Sequence, residues 1–269
     1  MADLPTTEYL ALQRDGSVLT VWLNRPEAKN ALSAQMVDEL HAVLDAVRGD
    51  RGLRTLVLRG KGGVFCAGGD LKGFKSEVHG GAPSQEEVAR SNREFGDLML
   101  KLNEQPQVIV VLVEGAAIGG GLGLACIGDV TIVTRETRMR LSETSLGIPP
   151  AQIAPFVTER VGLTQARRLM LTGARFKGDD AVRYGIGHLL AEDAAELEAL
   201  CAGILEQIAL CAPGANATTK EILFAGTRLP RAEALDFAAR GFAACMLSDE
   251  GREGIAAFVE KRRPDWAEQ

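Results

Sequence analysis

The stretch with the most chemical promise in this chain carries almost no side chain. Gly119, Gly120 and Gly121 stand in a row shortly after the run Val108-Ile109-Val110-Val111-Leu112-Val113. That run is apolar and mostly β-branched, and it reads as a strand buried on both faces. Three glycines where a strand turns into a helix leave backbone amides uncovered, and amides at a helix N-terminus favour a negative oxygen. They can cradle a phosphate or a developing oxyanion. The alternative is that they only permit close helix–sheet packing. No Gly-Lys-Ser/Thr and no regular Gly-x-Gly-x-x-Gly follows the strand, so this is neither a Walker loop nor a dinucleotide fingerprint. A second small-residue turn lies upstream. Thr55 to Arg59 reads as a strand and Gly60-Lys61-Gly62-Gly63 as a turn, followed by Val64-Phe65-Cys66-Ala67-Gly68-Gly69-Asp70-Leu71. Two such turns, each after a β-run, can offer one amide each to the same oxygen. The sharpest side-chain candidate is Glu143, in a loop that follows a short strand and ends Leu146-Gly147-Ile148-Pro149. Taken alone it also fits a solvated loop glutamate.

The motifs FCAGGDL at 65–71 and EGAAIGGGLGLA at 114–125 together resemble the crotonase family, the enoyl-CoA hydratases and isomerases. The resemblance runs from about Val18 to Pro264. It takes in Arg25-Pro26-Glu27-Ala28-Lys29-Asn30-Ala31-Leu32 and the closing Gly254 to Arg262. It implies an α/β fold, a crotonase-like spiral of ββα units, with a C-terminal helical trimerisation region. It implies an acyl-CoA thioester as substrate, coenzyme A being part of that substrate, with no permanently bound cofactor. The implied partner is the chain itself, as a trimer or a dimer of trimers.

The resemblance also implies roles. Glu143 stands where family members handle the proton or the water. Gly69 and Gly120 match the two positions whose amides polarise the thioester carbonyl. Ala28, Lys29, Ala31, Ala67, Asp70, Leu71 and Lys72 match the CoA channel. Lys29 and Lys72 either contact phosphates there or are plain surface lysines. Phe258 and Lys261 match residues that meet the CoA nucleotide across a subunit boundary.

One position departs from the pattern. Typical hydratases carry a second glutamate where this chain has Gly123. Four readings stay open: a one-glutamate enoyl-CoA isomerase, a hydratase using Glu143 with another group or the substrate's own carboxylate, another acyl-CoA reaction such as hydrolysis, or a non-catalytic acyl-CoA scaffold. The stretch Leu141 to Val157 resembles the bacterial branch that hydrates branched glutaconyl-CoA esters in leucine and acyclic-terpene breakdown. That branch includes the methylglutaconyl-, carboxygeranoyl- and isohexenylglutaconyl-CoA hydratases, and the last is the favoured reading. Pro150-Ala151-Gln152-Ile153 replaces the glycine-rich turn of common hydratases. Gly123 is expected to leave space for a branched, carboxylated acyl group.

The elements that must position these residues are partly legible. Tyr9 to Arg14 and Val18 to Leu23 flank Asp15-Gly16-Ser17, a hairpin signal. Ser33 is an expected N-cap, with Met36, Val37, Leu40, Leu44 and Val47 on one helical face. Residues 72–83 are glycine-rich and expected to be mobile. Ser84-Gln85-Glu86-Glu87 is a capping-box signature opening a helix to about Asn103. Short helices are expected over Ile153 to Val161 and Thr164 to Leu171, then a connector over Gly173 to Lys177. A helix turn over Asp179 to Tyr184 and a strand over His188 to Leu190 follow. From Asp193 onward the pattern is helical. The predicted organisation is a β/α core with the acyl-CoA site over 1–192 and a helical oligomerisation region over 193–269.

Composition sets outer limits. The 269 residues suffice for one large domain or two small ones. A hydrophobic share of 46% and a charged share of 25% describe an ordinary globular chain. The net charge of −6 argues against nucleic acid or an anionic membrane as partner. Five cysteines without C-x-x-C spacing and three histidines make a zinc site unexpected, so no metal is assigned. Met1-Ala2-Asp3-Leu4-Pro5 has no basic n-region, and no run reaches membrane-spanning length. A cytoplasmic protein with reduced thiols is expected.

Overall fold

Leu10–Asp15 (β1) and Val18–Leu23 (β2) pair antiparallel around Gly16, whose φ of 53° suits a residue without a Cβ. The computed structural model describes residues 3–70 and 83–268. Leu71 and residues 72–82 of the glycine-rich segment lie outside the described residues, so the expectation placed on that segment does too. Ala34–Arg48 (α1) starts as expected at Ser33, whose Oγ accepts from the Met36 N–H at 3.2 Å. Its buried face is Met36, Leu40, Val43, Leu44 and Val47. Thr55–Gly60 (β3) is buried throughout. Gln85–Asn103 (α2) opens with the full capping box of Ser84 and Glu87.

From β3 onward the chain repeats one unit: a long strand, a short strand, a helix. Val108–Val113 (β4) and Ala116–Ile118 (β5) lead into Gly120–Ile127 (α3). Val130–Thr134 (β6) and Arg138–Arg140 (β7) lead through a 3-10 turn, Glu143–Leu146, to Ala154–Thr172 (α4). That run is interrupted at Gly162, whose φ of 75° and ψ of 155° are not helical, so the two expected short helices stand on either side of it. Arg175–Phe176 (β8), Gly178–Arg183 (α5) and Leu189–Ala191 (β9) follow. The expected connector over 173–177 thus contains a strand too short to carry a period.

Long strands pair in parallel with long strands: Thr55 opposite Val108, Val110 opposite Val130, Ile132 opposite Leu189. Short ones do the same, with Cys66 opposite Ala117 and Ala116 opposite Arg138. Each turn of chain therefore advances both layers by one position, which is the expected ββα spiral. Among the described residues β1-β2-β3-β4-β6-β9 form a six-stranded sheet, whose edge strand β9 has three residues, and β5-β7-β8 a three-stranded sheet in which β8 runs antiparallel to β7.

Both faces of the larger sheet are covered, as the unbroken apolar run of β4 requires. Leu56, Leu58, Ile109 and Val111 pack in one cluster with α1, α2 and α3. Val57, Val110, Leu112 and Ile132 face the other way, against Leu197, Cys201 and Ile208 of Ala194–Ala209 (α6). Three more helices follow: Pro213–Arg228 (α7), Arg231–Met246 (α8) and Asp249–Glu260 (α9). α7 is tied to the sheet by Lys220, whose Nζ donates to Gln107 O at 2.8 Å and to Asp129 Oδ2 at 2.5 Å. Among the described residues no helix is long and apolar enough to cross a membrane.

Candidate active site

The two small-residue turns lie side by side at the C-terminal ends of β3 and β4. Cys66 N–H donates to Ala116 O, and Ile118 N–H returns the bond to Cys66 O, both at 3.0 Å. The close approach depends on Gly68. Its φ is +94°, and a Cβ there would stand 2.8 Å from Ile118 O and 3.7 Å from Gly120 N. Gly69 is held by Leu32. Leu32 N–H donates to Gly68 O at 2.8 Å, and Asp70 N–H donates to Leu32 O at 3.0 Å. In a parallel bridge of this kind the bracketed residue turns its own N–H away from its partner. Among the described residues, the N–H groups of Gly69 and Gly120 make no hydrogen bond. A Cβ on Gly69 would meet no described atom within 4 Å.

Glu143 comes to the same place from the next turn of the spiral. Gly119 N–H donates to Arg140 O at 2.9 Å, which binds the end of β7 to the start of α3. The 3-10 turn then carries the Glu143 carboxylate over Gly119, where a Cβ would be 2.6 Å from Oε1. The turn is anchored on α4 by the Thr144 hydroxyl, which donates to Met170 O at 2.8 Å. Glu143 is half-buried and its Oε2 has no hydrogen-bond partner among the described residues. Burial raises its pKa above the ordinary carboxylate value, partly offset by hydrogen bonds from backbone groups at 142 and 143. A carboxyl group with a raised pKa holds a proton more readily, which suits general acid–base work.

The far wall is apolar. A Cβ on Gly120 would be 3.2 Å from Leu32 Cδ1 and 3.3 Å from Phe95 Cζ. At Gly123 the structure corrects the sequence reading. A Cβ there would be 2.4 Å from Ile153 Cγ2 and 3.2 Å from Met99 Cε, and both side chains are buried. The space that a second carboxylate would use is not left for substrate. Ile153 fills it.

The remaining candidates divide into three groups. Ala28, Lys29, Ala31, Ala67 and Asp70 join the site through the loop before α1. Ala67 N–H donates to Lys29 O at 3.0 Å. Arg25 donates to Ala31 O at 2.8 Å and to Asp70 Oδ2 at 3.0 Å, so Asp70 is bound within the protein. Lys29 and Asn30 both sit in the left-handed region, at φ 52° and 55°. Asn30, fully buried, sustains that bend: its side chain donates to Lys61 O and Val64 O and accepts from Arg25 N–H. Leu71 and Lys72 lie outside the described residues. Phe258 and Lys261 stand apart at the end of α9, with Phe258 85% exposed and no described hydrogen bond or ion pair reaching the site.

Arg25, Asn30, Phe95, Met99 and Ile153 carry no role in the sequence reading. The one sequence signal for the wall is Gly96, a glycine in the middle of α2. No group of three or more His, Cys, Asp or Glu converges as metal ligands among the described residues. A cavity of ≈ 370 Å³ lined by Ser17, Arg54, Glu250 and Trp266 opens at the other end of β3, away from these groups. Sites in parallel sheets sit at the carboxyl ends of strands, and the convergent polar groups here do so.

The sequence pattern of the enoyl-CoA hydratase/isomerase family matches residues 13–269. A probable enoyl-CoA hydratase of Bacillus subtilis is 31% identical over 96% of this chain and 98% of its own length. A putative enoyl-CoA hydratase of Thermus thermophilus is 33% identical, covering 93% of this chain and 97% of its own. Among solved structures, Pseudomonas aeruginosa AtuE superposes with a TM-score of 0.93 at 52% identity, covering 97% of this chain and all of its own (100%). An enoyl-CoA hydratase/isomerase from Marinobacter aquaeolei has the same TM-score of 0.93 at 43% identity, over 96% of this chain and 99% of its own.

Proposed function

Because the chain belongs to the enoyl-CoA hydratase/isomerase family, a family of crotonase-type enzymes acting on CoA thioesters, we propose that it adds water to a branched 2-enoyl-CoA. The observation that carries this reading is the convergence of three groups. The N–H groups of Gly69 and Gly120 make no hydrogen bond among the described residues, their turns meet at Gly68, and the Glu143 carboxylate lies over the adjoining Gly119. The thioester carbonyl oxygen accepts from both amides. Glu143, as carboxylate, takes a proton from water as its oxygen bonds to C3. The C2–C3 π electrons move to form the enolate, whose negative oxygen the two amides stabilise. Glu143 then returns the proton to C2. Removing one such amide costs about 10²–10³ in rate in comparable oxyanion sites.

The branched glutaconyl substrate, isohexenylglutaconyl-CoA or a related 3-methylglutaconyl-type ester, rests on the resemblance of Leu141 to Val157 to that branch. The packing at Gly123 no longer adds to it. One observation favours a second reading: Ile153 stands where a second carboxylate would be, which suits an isomerase moving one proton between C2 and C4. Lys29 and Lys72 are assigned to the CoA phosphates, with Ala28, Ala31, Ala67, Asp70 and Leu71 along the channel. Phe258 and Lys261 are assigned to the nucleotide of a neighbouring subunit in a trimer or pair of trimers. The core over 1–192 holds the site, and 193–269 serves assembly. A cytoplasmic setting belongs to the same proposal.

The test is a panel of CoA esters followed by the absorbance of the conjugated thioester: crotonyl-CoA, a 3-enoyl-CoA and 3-methylglutaconyl-CoA. Loss of conjugation on the last ester, which carries a free carboxylate, supports the hydratase. A gain of conjugation on the 3-enoyl ester alone supports the isomerase. No change on any ester, with CoA ester binding intact, would leave only a scaffold.

A further inference from the structure

Gly96 sits in mid-helix, where glycine costs about 1 kcal/mol relative to alanine. Its φ is not positive, so no unusual backbone shape calls for it. What requires it is Gln152. A Cβ on Gly96 would stand 2.1 Å from Gln152 Oε1 and 2.8 Å from its Cδ. The side chain of Gln152 lies directly across the helix, and its Nε2 donates to Asn92 Oδ1 at 3.0 Å. Asn92, Phe95, Gly96 and Met99 share one face of α2 by their spacing. Phe95 meets Gly120 and Met99 meets Gly123, so this face is the wall of the candidate site. Gln152 also directly precedes Ile153, the residue that occupies the second-carboxylate position.

The amide has hydrogen-bonding capacity left. A glutamine side chain carries two N–H donors and a carbonyl acceptor. One N–H goes to Asn92, and no described hydrogen bond uses the other N–H or Oε1. The nearby Arg93 guanidinium reaches the same spot but is paired with Asp97 at 2.6 Å. The ledge therefore presents a neutral donor next to an apolar wall. A substrate with its own carboxylate needs such a donor. Glu143 already places one carboxylate in a half-buried site, and two close carboxylates there repel unless one protonates.

We infer that Gln152, held on Gly96 and oriented by Asn92, is a specificity-determining residue that donates a hydrogen bond to a carboxylate on the substrate's acyl group. This rests on the enoyl-CoA hydratase reading above and names the substrate feature that the same site selects. Ile153 and Gln152 then act as a pair: one closes the second-carboxylate position, the other supplies a neutral replacement at its edge.

The experiment compares 3-methylglutaconyl-CoA with 3-methylcrotonyl-CoA, which has the same branch and no carboxylate. Gln152→Leu should lower kcat/KM for the carboxylated ester by roughly tenfold or more, as expected for a lost hydrogen bond to a charged group. The loss should lie in KM, with the uncharged ester changed by less than about twofold. Gln152→Glu should lower the carboxylated ester further still and spare the other. Gly96→Ala displaces the amide without altering it and should reproduce the Gln152→Leu selectivity. Equal losses on both esters in a folded variant, or no loss on the carboxylated one, overturn the inference and leave the hydratase reading intact. Wild-type protein that hydrates only the uncharged ester also overturns it. Wild-type protein inactive on both esters overturns that reading and this inference with it.

Discussion

A buried carboxylate oxygen with no partner is costly to keep, and Glu143 keeps one beside two unpaired amides. Burial raises its pKa, so its protonated form fits the folded protein better than its charged form. The stability it contributes is therefore fully present below the unfolded-state pKa and is lost as pH rises through the raised folded-state value. Gln mimics the protonated state. Glu143→Gln should abolish turnover while raising the melting temperature at about pH 8, with a smaller gain at about pH 5. Melting curves at the two pH values, beside turnover and CoA ester binding, check both parts. An active Glu143→Gln enzyme removes the acid–base assignment. The amide of Gly120 can be isolated in the same way. Proline is tolerated at the first helical position and deletes only the N–H, although both proline and alanine add a Cβ near Leu32 and Phe95. Gly120→Pro should lower kcat by about a hundredfold or more relative to Gly120→Ala. Equal kcat for the two variants would mean that the amide does not act on substrate.

At the scale of elements, α3 is the part that unites the site. Its first residue offers an amide, the residue before it lies under Glu143, and its fourth packs on Ile153. Gly123 is a packing residue here. Gly123→Ala should destabilise the protein by about 1–3 kcal/mol through overpacking against Ile153. In an Ile153→Ala background, Gly123→Ala should cost less than it does alone in denaturant titrations. If Gly123→Ala alone costs nothing, Ile153 moves freely and the space is available after all. The sequence made the long elements readable because each carries its own signal: Ser33 before an apolar stripe, Ser84 with Glu87, six apolar residues in β4. It also singled out Glu143, Gly69 and Gly120 by motif, and the structure brings their turns together at Gly119 and Gly68. It did not reveal β5 and β8, of three and two residues, because each is enclosed by glycines that read as a turn or connector and forms only by pairing across the spiral. Nor did it reveal Ile153 beneath Gly123. That contact joins residues thirty positions apart on different elements, and an empty side chain in a sequence looks the same whether substrate or protein fills the space.

At the scale of the whole molecule, the later helices carry apolar surface that a single chain leaves uncovered. Leu235, Phe242 and Met246 repeat on one stripe of α8 and are 63%, 67% and 50% exposed. Leu247 and Phe258 are exposed further still, at 71% and 85%. By contrast α6 buries Leu197, Cys201 and Ile208 against the sheet, so it is α7 to α9 that lack a partner surface. An apolar stripe of this kind marks an association site, and closed symmetry is the usual way in which copies of one chain satisfy it. The site gives a second reason. Phe258 and Lys261, proposed for the CoA nucleotide, make no described hydrogen bond or ion pair to the glycine turns of their own chain, which fits the proposal that they serve a neighbouring copy. The expected species in sedimentation is a trimer of the 28.7 kDa chain or a pair of trimers. Leu235→Glu with Phe242→Glu should shift it towards monomer, and more so on dilution, because assembly stabilises by mass action. If the proposed assignment of Phe258 and Lys261 to a neighbouring chain's nucleotide holds, loss of assembly should raise KM for CoA esters more than it lowers kcat. A stable monomer with unchanged KM would show that the helices cover nothing and that Phe258 and Lys261 take no part in binding.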